Sequence, residues 1–327
     1  MKRGIELYAP RLATHKRTWT LAALILILVF FILGEVPVGV ILNFGAMKEL
    51  FPKESWSKLF LNLFFGFGIG ALICFAWIRF FEKRTLASIG FNCHPRQHYL
   101  RGLISGFGFI TVVVGIITLS GGYQFEGDGL WKNFSWMGLF SILMLLIGFA
   151  VQGATEEIFM RGWLFQLLTS RYGIAIGIIG NMLYFSSLHA FNIHFSIELA
   201  IGLFNIVLVA IMLSLYALKE GNLWGVCAWH GAWNWLLGVG FGLDVSGQSI
   251  KLVPLVIDLK NVATAPVWLH GGAFGPEASV VTSFVLLLGI AYFAMRPGHG
   301  KVFAAPEIAT VENEFETDTD DEPATQN

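Results

Sequence analysis

Of the 327 residues, 55% are hydrophobic and 13% are charged, and the net charge is −1. A soluble domain carries about 25% charged residues, and each charge at a bilayer centre costs about 2.5–3.5 kcal/mol on insertion scales, so scarce charges confined to loops and tails exclude an ordinary soluble globule. The near-neutral balance leaves no electrostatic footprint for nucleic acid. The three cysteines, Cys74, Cys93 and Cys227, lack C-x-x-C or zinc-type spacing and read as small buried hydrophobes.

The chain opens with a basic stretch (Lys2, Arg3, Arg11, Lys16, Arg17) before an apolar run that starts at Trp19. No small-x-small cleavage site follows, and the run continues past Val40, so it reads as a retained first membrane helix rather than a signal peptide. Crossing about 30 Å of hydrocarbon takes about 20 mostly apolar residues. On that template eight segments qualify: about 19–44, 57–80, 101–121, 136–167, 173–190, 197–218, 223–243 and 278–295. The fourth is long enough to tilt or to extend into the interface, and the fifth is short enough to be half-buried or broken. The fold class is therefore all-α, a polytopic membrane helix bundle of about eight transmembrane helices.

Several features qualify that outline. Glu35 stands beside Pro37 and reads as marking a helix break at the interface. Gly66, Gly68, Gly70 and Gly102, Gly106 have the spacing of close helix packing. Residues 82–100 mix basic and aromatic side chains and suit a short segment lying on the headgroups. With a cytoplasmic N-terminus, fifteen lysines and arginines fall on the cytoplasmic side and six on the other, favouring eight spans with both termini inside. One membrane domain over 19–300 then lies between a cytoplasmic basic tail, 1–18, and an acidic, disordered tail, 301–327. Membrane lipids are its surroundings.

The fourth segment contains Ala154-Thr155-Glu156-Glu157-Ile158-Phe159-Met160-Arg161-Gly162. Three ionisable side chains facing lipid at depth would cost about 8–10 kcal/mol, comparable to the stability of a whole domain. They must face a polar interior or lie near the interface. Glu157 and Arg161 are spaced i, i+4 and can pair on one face. Glu156 sits about 100° away and has no cation on its own helix. A partly desolvated carboxylate so placed suits general-base work; a buried charge cluster that only fixes packing is the alternative. The fifth segment ends Phe185-Ser186-Ser187-Leu188-His189, and the seventh holds Trp229-His230-Gly231-Ala232-Trp233-Asn234. His230 and Asn234 share a helix face and could donate to one oxygen. A carboxylate, a histidine and a His/Asn donor pair are the parts of general-base amide hydrolysis, provided their helices are neighbours.

Glu156-Glu157-x-x-x-Arg161, Phe185-x-x-x-His189 and His230-x-x-x-Asn234 resemble, in order and approximate separation, the three motifs of the CPBP family. That family comprises CAAX-type prenyl-protein endopeptidases and bacterial bacteriocin-processing or immunity (ABI) proteins. The resemblance spans about 135–240, and the loop Gly271-Gly272-Ala273-Phe274-Gly275-Pro276-Glu277 is similar to bacterial members. It implies an intramembrane glutamic endopeptidase of a bacterial cell membrane, with a wet cavity opening to the cytoplasm or laterally to lipid. The substrate would be a membrane-associated protein or peptide. Glu156 would activate water with help from His189, and His230 and Asn234 would stabilise the oxyanion. Glu157 and Arg161, with Phe185, would hold the geometry, and neither metal nor cofactor is required.

Two other readings remain open at this level. A zinc peptidase could use His189, His230 and a glutamate, although no H-E-x-x-H is present. A non-proteolytic scaffold or immunity protein could keep the cavity for binding alone. Asn192 and His194 read as loop residues, and Glu198 as an acid at a helix N-terminus. Asp244 reads as the end of the seventh span, and His94, His98 and His270 as surface residues.

Overall fold

A computed structural model describes residues 4–92, 95–295 and 303–304. Its frame is a set of eight helices: α1 (Thr20–Asn43), α2 (Trp56–Phe81), α3 (Pro95–Leu119), α4 (Trp136–Tyr172), α5 (Ile174–Leu188), α6 (Ile197–Glu220), α7 (Trp224–Trp235, continued by a π-helical turn over Leu236–Gly240) and α8 (Val280–Met295). Each expected apolar segment lies on one of them. Five, α1–α4 and α6, are long and apolar enough to cross a membrane by length and composition. The chain is a polytopic integral membrane protein with an all-α bundle. Four short strands, β1 (Ile5–Glu6), β2 (Tyr123–Asp128), β3 (Ile257–Asn261) and β4 (Phe303–Ala304), pair antiparallel as β1 with β4 and β2 with β3.

Local chemistry sets the helix ends. Ser55, Ser135 and Ser196 each accept a hydrogen bond from the backbone N–H three residues on, capping α2, α4 and α6. Gly221 closes α6 at φ 64°, a left-handed conformation that costs a residue without Cβ little. Pro37 does not break α1, which runs through it. Membrane helices tolerate proline when neighbours secure them, and Gly34 lies so close to α2 that a Cβ would fall 2.2 Å from the Gly66 carbonyl oxygen. Glu35 is therefore a mid-helix residue, not the marker of an interfacial break.

Helix α4 is the axis of the molecule. At about 1.5 Å per residue its 37 residues exceed the hydrocarbon thickness, and every residue from Thr155 to Ser170 is buried. Protein covers that stretch on all sides, so its ionisable residues meet no lipid. A π-helical turn over Ile158–Leu164 begins directly after Glu157; such turns concentrate at functional sites. Helix α7 packs between α3 and α4 by backbone contact. A Cβ on Gly102 would lie 2.0 Å from the Gly225 carbonyl oxygen, one on Gly106 2.5 Å from that of Trp229, and one on Gly153 2.6 Å from the Gly231 nitrogen. The glycine spacings thus mark helix contacts, with Gly68 the weakest of them, 3.6 Å from Val151.

At one end of the bundle lie β1, β4, residues 82–92 and the α6–α7 turn. Leu7 and Tyr8 are buried there, and the Leu7 N–H donates to the Gln166 side chain. The expected basic tail is thus packed against α4 over these residues. The other end carries β2, β3 and the loops 44–55, 189–196 and 241–279.

Three expectations change. Residues 82–100 are not one interfacial segment: Leu86–Ile89 form a 3-10 turn with Ile89 buried against the α4 core, and α3 already starts at Pro95. His270 is buried, its Nε2 on the Ala265 carbonyl and its own carbonyl on the Tyr123 hydroxyl, because the loop before α8 folds inward. His98 is half-buried, its Nδ1 2.8 Å from a Glu220 carboxylate oxygen. Cys93, His94 and, apart from β4, the expected acidic tail lie outside the described residues.

Candidate active site

The Gly153–Gly231 approach sets α7 so close to α4 that its His230/Asn234 face meets the Gln152/Glu156/Glu157 face directly. Glu157 and Arg161 form a salt bridge of 2.9 Å with both side chains fully buried. The same carboxylate oxygen accepts from Nδ1 of His230 at 2.8 Å. Arg161 is held from three directions. Its guanidinium lies over the Phe185 ring at 4.6 Å, its backbone carbonyl accepts from the Tyr8 hydroxyl at 2.9 Å, and Nη1 serves Glu157. Phe185 in turn sets both imidazoles, edge-on to His189 at 4.8 Å and to His230 at 6.4 Å between ring centres.

Glu156 is arranged differently. Its Oε1 accepts from Gln152 Nε2 at 2.6 Å, and Gln152 Oε1 accepts from Asn234 Nδ2 at 2.9 Å. Among the described residues its Oε2 has no hydrogen-bond partner, and it lies 3.7 Å from His230 Nε2. His230 therefore bridges the two glutamates, with Nδ1 on Glu157 and Nε2 toward Glu156. His189 closes α5, and its Nδ1 bonds the Phe185 carbonyl at 2.9 Å. That bond makes Nδ1 the protonated nitrogen and leaves Nε2 for the cavity.

These groups line one cavity of about 480 Å³, bounded by Glu35, Asn62, Gln152, Glu156, His189, His230 and Asn234 among others. A volume of about 300–1,000 Å³ is usual for a ligand site. Behind it a void of about 40 Å³, lined by His189, His230, Asn234 and Glu277, has room for ordered water. Glu277 accepts from the Ser246 N–H at 2.5 Å, the Ser246 hydroxyl at 2.7 Å and Trp233 Nε1 at 3.2 Å. Burial pushes its carboxyl above the usual range, and these bonds oppose the shift. Among the described residues no group of three or more His, Cys, Asp or Glu could hold a metal ion.

Residues 138–236 match the family model described as Type II CAAX prenyl endopeptidase Rce1-like. The motif-bearing core is thus similar to the Rce1-like members of the CPBP family. All seven residues singled out by the motifs, and Gln152, fall within the match. The family supports a CAAX-protease-like membrane endopeptidase, a hydrolase. No curated protein and no solved structure matches the chain.

Two pairings differ from the sequence expectation. His230 and Asn234 each have one side-chain group engaged within the site, His230 Nδ1 with Glu157 and Asn234 Nδ2 with Gln152. Gln152, which orients Glu156, was not singled out, although an amide one helical turn before a buried carboxylate is a legible signal. Glu35 was seen and assigned elsewhere, because α1 packing over Gly66 cannot be read from α1 alone.

Proposed function

We propose that the chain is a metal-independent intramembrane glutamic endopeptidase that hydrolyses a peptide bond of a membrane-associated protein or peptide. The observation that carries this reading is the Glu156 Oε2, without a hydrogen-bond partner among the described residues and 3.7 Å from His230 Nε2, on a cavity that His189, Gln152 and Asn234 also line. In the proposed reaction water sits on Glu156 Oε2, passes a proton to that carboxylate as it attacks the scissile carbonyl, and forms a tetrahedral oxyanion. The second N–H of Asn234 and a protonated His230 would stabilise that charge. His189 Nε2 would take the proton from Glu156 and hand it to the departing amine as the C–N bond breaks, which restores both groups. Gln152 orients Glu156, while Glu157, Arg161 and Phe185 hold the imidazoles.

The proposed setting is a bacterial cell membrane with both termini cytoplasmic, surrounded by lipid. Support comes from the lysine and arginine distribution and from the β1–β4 pairing, which joins Ile5–Glu6 to Phe303–Ala304 at one end of the bundle. The cavity draws lining from the opposite end, including Asn192, Ser246 and Gln248. In this setting substrate would arrive from lipid or from the non-cytoplasmic face, not through a cytoplasmic mouth. The direct test is cleavage of a fluorogenic membrane peptide by purified protein and its Glu156→Gln variant. Equal turnover by the two would end the proposal.

A further inference from the structure

Glu35 is the cavity's second carboxylate, and the hydrolytic scheme does not use it. Its α1 backbone passes over Gly66 of α2. The place where a Gly66 Cβ would sit is flanked by Glu35 Cγ at 3.3 Å and by Asn62 Oδ1 at 3.6 Å. An added Cβ at position 66 would crowd Glu35 and touch Asn62 at ordinary contact distance; both side chains lie on the cavity wall. Phe31, one helical turn before Glu35, and Phe67 line the same wall, their rings edge to face at 6.0 Å. Among the described residues Glu35 has no hydrogen bond or ion pair, and Glu156 is within electrostatic reach of it.

The charge inventory of the cavity decides what this wall can hold. Among the described residues its lining contains two carboxylates, two imidazoles, five side-chain amides, one serine and apolar side chains, but no lysine or arginine. A cation at Glu35 would meet a carboxylate, an amide oxygen and aromatic faces, which together favour an ammonium or guanidinium group. It would also relieve repulsion between Glu35 and Glu156. The nearly buried Glu156, with one oxygen unpartnered, faces the same space.

We propose that Glu35 is the specificity determinant of this cavity, binding a cationic group of the peptide while Glu156 acts on the adjoining bond. This rests on the peptidase reading above, and the cation has two sources: a lysine or arginine side chain, or the free amino terminus of the peptide. The test uses full-length protein in lipid nanodiscs and a fluorescent, apolar membrane peptide carrying lysine, norleucine or glutamate at successive positions, with a free or acetylated amino terminus. Binding is read by anisotropy and cleavage by product release.

At one position wild type should bind the lysine peptide at least about tenfold more tightly than its norleucine counterpart, the scale of one hydrogen bond to a charged group. The effect should fall on KM rather than kcat. Glu35→Gln should bring that ratio near one, and Glu35→Lys should reverse it in favour of glutamate. Preference that follows acetylation rather than the side chain identifies the amino terminus as the cation. A wild type that does not distinguish a cation from a neutral group at any position, or a Glu35→Gln variant that keeps the ratio, overturns the proposal. Binding decides the matter even if no peptide is cut, whereas absence of cleavage counts against the peptidase reading alone.

Discussion

Glu6 and Glu82 at the end carrying the N-terminal strand, and Glu35 and Glu156 on the cavity wall, are treated in opposite ways. At the end carrying the N-terminal strand, Glu82 accepts from the Thr18 hydroxyl at 2.6 Å, pairs with Arg84 at 3.2 Å and accepts from Trp163 Nε1. Glu6 is bonded to Gln166 and paired with Arg17, and Arg171 reaches the Thr18 carbonyl and the Thr20 hydroxyl. These carboxylates are surrounded by donors, as expected of groups that serve the fold. On the cavity wall, among the described residues, Glu35 has no hydrogen-bond or ion-pair partner and Glu156 has one oxygen without a hydrogen bond. The same residue type is structural where its charge is answered within the chain. It becomes chemically available where the answer must come from water or substrate.

The sharpest way to break this contrast is Glu156→Gln. Turnover of a membrane peptide should fall about 10³-fold or more, the usual scale for a general base, while the protein still purifies as a folded species. Next comes Arg161→Ala, which leaves Glu157 buried without its cation. It should cost about 3–5 kcal/mol of stability, as for other broken buried pairs, measured as a large loss of thermal stability in detergent. Gly153→Ala forces a methyl group against the α7 backbone and should cost about 1–3 kcal/mol. Activity per folded molecule should drop as well, because His230 and Asn234 shift from their partners; unchanged kinetics would show that α7 placement is not critical. The smallest effect belongs to the closed end. Tyr8→Phe removes one hydrogen bond to the Arg161 carbonyl and should cost about 1 kcal/mol with kcat unchanged. A large fall in kcat there would mean that the N-terminal strand tunes the site directly.

Much of this was legible in the residues. The eight apolar runs lie on helices, five of them long and apolar enough to cross a membrane, since hydrocarbon fixes both the length and the composition of a span. Glu157 and Arg161 pair as their i, i+4 spacing requires, and Gly102 and Gly106 sit where backbones touch. Glu35 was misread because proline is a strong breaker in water and a weak one among packed membrane helices. His270 was misread because a loop between spans looks exposed until it folds inward. Gln152 was missed because an amide in an apolar run draws attention only once its carboxylate partner is known to face a cavity.

The sequence by itself determined the solvent, the helical class and the set of polar side chains too costly to leave in lipid, because these follow from local hydrophobicity and helical period. Only the tertiary structure decided which groups meet: His230 between two glutamates, Asn234 on Gln152, and Glu35 on the wall of the same cavity. Those meetings depend on glycine-to-backbone approaches between helices far apart in the chain, and no local pattern encodes the partner of a packing surface.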